Sequence, residues 1–324
     1  MKKLYLLTGA TGHLGTVLLS SLREKRESVR ALTRPGSHEK LPEGVDCCIG
    51  DVTDRESIRP FFDKTGYDHT TLVHCAAVVT IASKANPAVW SVNVGGTSNV
   101  MQLALENQTD RVIYVSSVHA IPERPGAEVI TEVDHFSPDA VCGQYAKAKA
   151  AATQMVLEYA KRGLNVSVVH PSGIIGPGDF YVKNHMIKTI RAMAKGTIPV
   201  SISGGFDFVD SRDVAEGILR CEALGKRGEC YILNGHYVSI RELLNLVRGM
   251  VGKKAIRFEL PYRLGKAVAA VGERVMHLLG EPDPVFTPYA IYTLNTNGRF
   301  SHEKARAAFG YQTRDLAESI RASL

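Results

Sequence analysis

Three glycines that directly follow a short apolar run constrain this chain more than any other feature. Residues 3–7 (KLYLL) have the length and apolar character of a buried strand, and TGATGHLG follows over residues 8–15. Helical periodicity begins at His13 and continues to Leu22. The order of strand, glycine turn and helix predicts that a pyrophosphate binds at the N-terminus of the helix.

Each glycine of this loop has its own predicted role. Gly9 permits the tight turn, Gly12 lets the backbone approach the pyrophosphate, and Gly15 lets the helix pack closely. The spacing differs from the G-x-G-x-x-G pattern of dinucleotide-binding dehydrogenases, but its strand–turn–helix context is the one that a dinucleotide requires. The predicted cofactor contacts in the loop are Gly9, Thr11, Gly12, His13, Leu14 and Gly15.

Strand-like and helix-like segments alternate through the first half. Further strands are predicted at Ser28–Thr33, Asp46–Ile49, Thr71–Cys75, Arg111–Ser116 and Leu164–Val169, and helices from Asp54, from Pro87 to about Asn107, and at Tyr145–Arg162. This alternation predicts an α/β fold, a doubly wound parallel sheet of the Rossmann type with helices on both faces.

The pattern becomes less regular after His170. We expect a cofactor-binding domain over residues 1–170 and a smaller α/β substrate-binding lobe over residues 171–324, with some segments returning to the main sheet. Predicted elements of the second half are helices at Val182–Lys195, Arg212–Leu224, Ser239–Val251 and Tyr262–Leu279, and strands at Tyr231–Leu233 and Ile256–Glu259. Charges within the apolar segment from Tyr262 favour a packed amphipathic helix over a membrane anchor.

Composition excludes several classes of protein. Hydrophobic residues make up 44% of the 324-residue chain, which is too apolar for a disordered protein. A net charge of +6 is too small to indicate a nucleic-acid partner, and no apolar run reaches the roughly 18 residues of a membrane span. The six cysteines lack the spacing of a metal site, so we predict no metal, and with no export signal we expect a reducing cytoplasm.

The end of the second predicted strand distinguishes between the two nicotinamide cofactors. No carboxylate, which would bind the ribose hydroxyls of NAD, stands there; Arg34 does instead, and it can pair with a 2′-phosphate. Lys40 could add a second charge, so NADP is favoured over NAD. Asp51, after the third strand, either accepts from the adenine amino group or caps a helix.

Tyr145 and Lys149 are four residues apart on a predicted helix and therefore share a face. An ammonium near a phenol lowers the pKa of the phenol from about 10 and lets it exchange a proton with an alcohol oxygen. Ser116 and Ser117 end the fifth strand, at the edge where parallel sheets bind ligands. The three segments together predict an acid–base site.

At this point the sequence resembles an extended short-chain dehydrogenase/reductase, close to the dihydroflavonol reductases and 3β-hydroxysteroid dehydrogenases. The resemblance covers nearly the whole chain. The segments that carry it are residues 8–15, 50–52 (GDV), 74–77 (HCAA), 93–97 (NVGGT), 114–117 (YVSS), 145–149 (YAKAK), 170–177, 208–215 (FVDSRDVA) and the tail around residues 300–311.

The resemblance implies a role for each matching position. Tyr145 would be the acid–base, Lys149 would hold the ribose and tune Tyr145, and Ser117 would orient the substrate. Asn93 would help to position the nicotinamide ribose or a water. The other implied cofactor contacts are Val52, Ala76, Ala77, Ser116, Pro171, Ser172, Gly173 and Ile174, with Arg34, Lys40 and Asp51 on the adenosine side.

Three positions depart from the family pattern or stay open. His170 stands where relatives often have Arg before the proline, so any salt bridge there is in doubt. His119 stands where sugar epimerases have a different residue. Its side chain either faces the substrate or only fills space in a loop. Cys142 either lines the pocket or is a structural thiol.

These observations favour an NADP(H)-dependent carbonyl reductase or alcohol dehydrogenase acting on a small, apolar carbonyl or alcohol. A nucleotide-sugar epimerase or dehydratase is the alternative, and a non-catalytic NADP sensor is a third. The family implies a monomer or a homodimer. Candidate substrate-lining residues, each of which is also a core candidate, are Phe180, Tyr181, Met186, Ile187 and Phe206.

Overall fold

The computed structural model describes residues 2–124, 128–178, 184–278, 287–296 and 298–324. Its strands are β1 (Lys3–Thr8), β2 (Ser28–Thr33), β3 (Asp46–Ile49), β4 (His69–His74), β5 (Arg111–Val115), β6 (Val166–Pro171), β7 (Gly173–Ile175), β8 (Ser201–Ile202), β9 (Gly205–Asp210), β10 (Cys230–Leu233), β11 (His236–Ser239) and β12 (Glu259–Leu260). Its helices are α1 (His13–Glu24), α2 (Pro87–Trp90), α3 (Thr97–Glu106), α4 (Gln144–Lys161), α5 (His185–Lys195), α6 (Ser211–Leu224), α7 (Ile240–Met250), α8 (Tyr262–Leu278), α9 (Pro288–Asn295), α10 (Glu303–Phe309) and α11 (Leu316–Arg321).

A seven-stranded sheet with the order β10-β6-β5-β4-β1-β2-β3 forms the centre of the molecule. Every neighbouring pair in it is parallel. The chain direction across the sheet reverses between β1 and β4, which is the point where doubly wound sheets bind ligands at their carboxyl edge. The predicted Rossmann architecture is confirmed.

Alternate residues of the central strands supply two separate cores. In β1, Leu4 and Leu6 pack into the layer that contains α3 and α4. Tyr5 and Leu7 point to the opposite face, where α1, α6 and α10 cover the sheet. Burial on both faces explains why these strands appear in the sequence as continuous apolar runs.

The second half adds two small sheets and one strand of the main sheet. Strand β9 lies between β11, which is antiparallel to it, and β7, which is parallel. Strands β8 and β12 form a separate parallel pair. Strand β10 pairs with β6 and extends the main sheet, so the second half is connected to the first through the sheet itself.

The helix predicted from Asp54 is wrong. Asp54 does cap a turn, because its Oδ1 accepts from the backbone nitrogen of Glu56 at 3.1 Å. The turn does not continue as an α-helix, since Pro60 lacks the N–H that the next turn needs and would clash with a preceding carbonyl. A short 3₁₀ turn at Arg59–Phe62 buries Phe61 and Phe62 instead.

The helix predicted from Pro87 forms as α2 and α3, joined by a π-helical segment at Ser91–Gly96. A π-helical turn shifts the side chains that follow it around the helix axis and often marks a functional position. Asn93 lies inside this segment and is buried.

Helix α8 forms where it was predicted, but its packing differs from the expectation of an apolar face turned inward. Gly265 and Ala269 are buried against the molecule, whereas Val268 and Val271 are exposed. Within the described ranges, no helix is both long and apolar enough to cross a membrane.

Candidate active site

Tyr145, Ser117 and Lys149 come together at the carboxyl edge of the main sheet. Helix α4 carries Tyr145 and Lys149 on one face, and Ser117 follows directly after β5. All three are buried, and the Ser117 hydroxyl lies close enough to Tyr145 to lower the pKa of its phenol. The Ser117 hydroxyl also accepts from the backbone nitrogen of His119 at 3.2 Å, which fixes the turn on which it sits.

Lys149 lies behind this pair. Its Nζ donates to the Val115 carbonyl at 2.7 Å and lies 5.0 Å from the centre of the Tyr114 ring. Burial lowers the pKa of Lys149 to about 8, because the charged amine is removed from water. Cys75, after β4, lies close enough to oppose this shift.

The predicted lowering of the Tyr145 pKa by Lys149 is not what the structure gives. Burial raises the pKa of Tyr145 to about 12, and only the neighbouring Ser117 hydroxyl acts in the opposite direction. The reason is that the ring packs inside the protein while Lys149 is bound to the β5 carbonyl. The phenol is therefore protonated at neutral pH.

The glycine loop has the close contacts that its sequence predicts. Gly9 has a φ of +72°, and a methyl group added there would lie 2.8 Å from the backbone nitrogen of Ala76. A methyl group at Gly15 would collide with the Gly9 carbonyl. Gly12 precedes α1 and provides no side-chain cap, so the helix begins with N–H donors suited to a phosphate.

His13 connects this loop to the second half. Asn184 Oδ1 accepts from the backbone nitrogen of Met186, so its Nδ2 is the atom that donates to His13 Nδ1 at 2.8 Å. His13 Nε2 then donates to the Pro177 carbonyl at 2.8 Å. Of the other predicted loop contacts, Thr11 is half-buried and Leu14 packs in the core.

The adenosine side of the predicted site holds Arg34, Lys40 and Asp51. Arg34 is exposed just beyond β2 and lies near enough to Asp51 to lower the pKa of that carboxyl. Hydrogen bonds from Thr53 lower it more, since Asp51 Oδ1 accepts from the Thr53 nitrogen at 2.8 Å and its hydroxyl at 2.7 Å. Asp51 thus caps a turn, the competing interpretation, and begins no helix. Lys40 lies in a 3₁₀ turn at His38–Lys40.

Asn93 binds the protein backbone instead of pointing its amide at open space. Its Oδ1 accepts from the Val78 nitrogen at 2.8 Å and its Nδ2 donates to the Val78 carbonyl at 2.9 Å. Asn93 therefore fixes the loop after β4, which begins with the half-buried Ala76 and Ala77. Its predicted effect on the ribose would have to act through that loop.

Hydrogen bonds to other segments fix the chain after β6. Ser172 donates to Asp207 Oδ1 at 2.6 Å, and the Ile174 carbonyl accepts from Asn184 at 3.0 Å. Ser116 shares a hydrogen bond of 2.6 Å with Thr153 on α4. The other predicted contacts are Pro171 at the end of β6, Gly173 at the start of β7 and Val52 packed against Gly96.

A small hollow, lined by eight apolar and three polar residues that expose about as much polar as apolar surface, lies near Tyr145. Its lining is Val118, His119, Ile121, Glu123, Ile130, Val141, Cys142, Ala146, Phe206, Thr296 and Phe300. The His119 ring stacks on Phe206 with centroids 5.3 Å apart and meets the edge of Tyr145 at 6.2 Å. His119, Cys142 and Phe206 thus line the hollow, whereas Met186 and Ile187 belong to the core. Phe180 and Tyr181 lie outside the described residues.

Sequence reasoning missed the role of His170 in this site. The ring is fully buried, stacks on Phe136 at 5.2 Å, and its Nδ1 lies 3.0 Å from the Ser117 carbonyl. Because a carbonyl only accepts, Nδ1 carries the proton. Burial lowers the pKa of His170 to about 4. His170 therefore holds the Ser117 backbone as a neutral donor, and no local sequence pattern marks that long-range contact.

His74 is a second buried histidine that the motif analysis left without a role. Its Nδ1 lies 2.7 Å from the Thr8 hydroxyl and its Nε2 lies 3.1 Å from the Thr97 hydroxyl. The Thr8 hydroxyl also accepts from the Ala76 nitrogen at 3.1 Å. His74 therefore connects the carboxyl ends of β1 and β4, where each strand leaves the sheet.

Comparison with known proteins agrees with this fold. The model of the NAD dependent epimerase/dehydratase family matches residues 5–233, which is well over half of the chain. The chain therefore belongs to this family and is an extended short-chain dehydrogenase/reductase. The family's description identifies the cofactor class as a nicotinamide dinucleotide.

Individual relatives match over nearly the full length. Sterol demethylase protein B of Methylococcus capsulatus is 33% identical over 311 residues, covering 94% of this chain and 92% of that protein. The 4-hydroxy-2-methyl-3-oxo-4-farnesyl-3,4-dihydroquinoline-1-oxide ketoreductase of Stigmatella aurantiaca is 29% identical, covering 95% of this chain and 91% of that protein. The crystal structure of gox2253 superposes with a TM-score of 0.84 at 29% identity, covering 99% of this chain and 96% of that one.

Proposed function

We propose that this protein is an NADPH-dependent carbonyl reductase that converts an apolar ketone or aldehyde into an alcohol, with Ser117, Tyr145 and Lys149 as its catalytic residues. The observation that carries the proposal is the buried Tyr145 phenol, beside the Ser117 hydroxyl at the carboxyl edge of a parallel sheet. A buried proton donor beside a second hydroxyl is what a carbonyl oxygen requires when it becomes an alcohol.

The residues present fit a dinucleotide. Gly9 and Gly15 form a cradle that any side chain would fill, and α1 begins with uncapped N–H groups behind Gly12. We assign the pyrophosphate to this cradle, the adenosine 2′-phosphate to Arg34 and Lys40, and the nicotinamide ribose to Tyr145 and Lys149. When bound, NADPH supplies the hydride for the reaction.

Each catalytic side chain has a distinct task in this proposal. Ser117 donates a hydrogen bond to the carbonyl oxygen of the substrate and polarises it. Tyr145 transfers its phenolic proton to the same oxygen, and burial keeps that proton in place at neutral pH by raising the pKa to about 12. Lys149, with its pKa lowered to about 8, is charged below that pH and donates to the ribose hydroxyls.

NADPH is preferred over NADH in this proposal because of Arg34. Its guanidinium is exposed at the end of β2 and already acts on Asp51, so it lies on the adenosine side of the carboxyl edge. Planar guanidinium groups bind phosphates with two parallel hydrogen bonds. The chain has no carboxylate at that strand end to bind a free 2′-hydroxyl.

The hollow beside Tyr145 supports an apolar substrate. Phe206, Phe300 and Val141 are among the eight apolar residues of its lining, and Glu123 is its one acidic side chain among the described residues. Among those residues no lysine or arginine lines the hollow to bind the diphosphate of a nucleotide sugar. For this reason we rank the epimerase alternative second. We further propose that residues 171–324 form the substrate-binding lobe.

The test is NADPH oxidation against a panel of ketones and aldehydes that includes UDP- and GDP-sugars. We expect stoichiometric NADPH consumption with an apolar carbonyl compound. Turnover of a nucleotide sugar without net oxidation of the cofactor would instead establish the epimerase alternative. Binding of NADPH with no turnover of any compound would contradict both and favour the sensor.

A further inference from the structure

Helix α8 presents its large apolar side chains to solvent. Leu264, Val268, Val271 and Val275 are between 47% and 62% exposed. Their spacing of four, three and four residues places them within about 60° of one another around the helix axis. An ordinary surface helix turns such a stripe toward the core.

The opposite side of α8 explains this orientation. Gly265 and Ala269 face the molecule, where Ala269 packs in a small core with Ile202 and Ile291. A methyl group at Gly265 would lie 3.2 Å from the Ile202 side chain. Small residues therefore allow close packing on the inner side, and the large apolar residues are left on the outer side.

The same part of the chain concentrates exposed apolar side chains and positive charge. Seven of the fourteen exposed large hydrophobic residues fall between Val251 and Met276, including Phe258 at 65% exposure. That segment contains six cations and two carboxylates, a net charge of +4 in a chain whose total is +6. We call the stripe Leu264, Val268, Val271 and Val275, together with Arg263 and Arg274 along one side of it on the same helix, the α8 face.

Neither carboxylate of the segment neutralises these cations. Glu273 is buried on the inner side of α8 and accepts from the Ser83 nitrogen at 2.8 Å, and Glu259 pairs with Arg241. Among the described residues, none of the six cations forms an ion pair. Two copies of this positively charged surface would repel each other, whereas a negatively charged surface would attract it.

The inner side of α8 is connected to the site by hydrogen bonds. The contact of Glu273 with Ser83 ties α8 to the loop that begins at Ala76 after β4. Gln144, which precedes Tyr145, binds the same loop through the Ala82 and Lys84 carbonyls at 3.1 and 2.8 Å. Two hydrogen-bonded connections thus separate the outer helix from the catalytic residue.

We propose that the α8 face docks on an anionic lipid bilayer, with its apolar stripe in the headgroup boundary and its cations on the lipid phosphates. This is the way an interfacial helix with an apolar stripe and a basic flank binds, without spanning the membrane. The docking is independent of the reaction. Docking would bring the hollow close to a carbonyl compound dissolved in the bilayer. This role of the α8 face rests on the proposed function.

The test is co-sedimentation of the full chain with vesicles of phosphatidylcholine alone and with about one-third phosphatidylglycerol. We expect binding to the anionic vesicles that about 0.5 M salt weakens strongly, and weak binding to the neutral ones. V268S/V271S should reduce the partition coefficient more than about tenfold on the anionic vesicles. R263Q/R274Q should reduce it on the order of tenfold on anionic vesicles only.

The matched control is Leu224→Ser, which removes a side chain of 61% exposure at the end of α6 and should bind as the unmodified chain does. No binding of the unmodified chain to anionic vesicles would overturn the proposal, and so would an equal loss in the control. A dimer in sedimentation velocity that V268S/V271S dissociates, without vesicle binding, would assign the face to a second copy instead. Turnover of a soluble ketone, measured in parallel, reports on the proposed function alone.

Discussion

The two halves of the molecule differ in how their candidate functional residues are positioned. Local segments position them in the first half, and contacts between distant segments position them in the second. In the first half, Gly9, Tyr145 and Lys149 act within or beside the element that carries them, and strand ends bring them to one edge. In the second half, Phe206 and Phe300 belong to separate segments that meet only in the folded hollow. The first half therefore holds the proposed cofactor and acid–base residues and eight of the eleven residues that line the hollow, and we expect the second half to tune substrate choice through Phe206, Thr296 and Phe300.

Tyr145→Phe tests the chemistry of the first half and has the largest expected effect. Removing the phenolic proton should lower kcat for the carbonyl substrate by about 10²- to 10⁴-fold, the usual contribution of a general acid. NADPH affinity, measured by fluorescence titration, should fall far less than kcat, because Lys149 still holds the ribose. Tyr159→Phe on the same helix, whose hydroxyl binds Gln102 instead, is the control and should keep full turnover. Full turnover in Tyr145→Phe would refute the mechanism.

Acid should destabilise the main sheet, where His74 and His170 are buried. Burial lowers their pKa values to about 3 and about 4, so the unfolded chain binds protons below pH 6.5 that the folded chain cannot. Their stabilising contribution is complete above pH 6.5 and is lost as pH falls toward 4. At pH 5 the loss should be about 2 kcal/mol for each, measured by urea unfolding. A pH dependence that His170→Asn does not reduce would contradict this account for His170.

Arg34→Ala tests cofactor choice in the first half. Loss of a charged hydrogen bond to the 2′-phosphate should weaken NADPH binding by about ten- to a hundredfold, with little change for NADH. The ratio of kcat/KM for the two cofactors measures the effect. Arg227→Ala, an exposed arginine in a turn of the second half, is the control. Equal losses of kcat/KM for NADPH and NADH would show that Arg34 does not bind the 2′-phosphate.

Cys142→Trp tests substrate choice at the hollow. Cys142 is exposed and lines the hollow, so an indole there should fill space without disturbing the core. KM for a bulky ketone should rise about tenfold, as steric changes in apolar pockets usually do, while a small aldehyde keeps its KM. An equal change for both substrates, or a change in NADPH affinity, would mean that the hollow does not bind the substrate.

His170→Ala has the smallest expected effect and tests a positioning residue at the boundary of the two halves. Loss of the hydrogen bond to the Ser117 carbonyl should lower kcat about five- to tenfold without changing the KM for NADPH. His170→Asn keeps a donor near the Nδ1 position and should recover most of the rate. A rate in His170→Asn as low as in His170→Ala would show that the histidine only fills space.

Local patterns account for what could be predicted. The glycine loop, the strand-end serines and the pair Tyr145 and Lys149 each follow from neighbours in the sequence, and all of them meet at one edge because parallel strands share a direction. The helix from Asp54 failed where Pro60 outweighed a good N-cap. Asn93 was assigned to the cofactor by resemblance, yet its amide is bound to Val78, 15 residues away.

By itself, the sequence determined the doubly wound sheet, the glycine cradle and the choice of the three side chains proposed as catalytic, because periodicity and glycine spacing act over a few residues. Only the tertiary structure showed that burial raises the pKa of Tyr145, while Lys149 donates to the Val115 carbonyl. It also decided the outward face of α8. A helix pattern shows that an apolar stripe exists, but the shape of the surface against which the helix packs decides which side is buried.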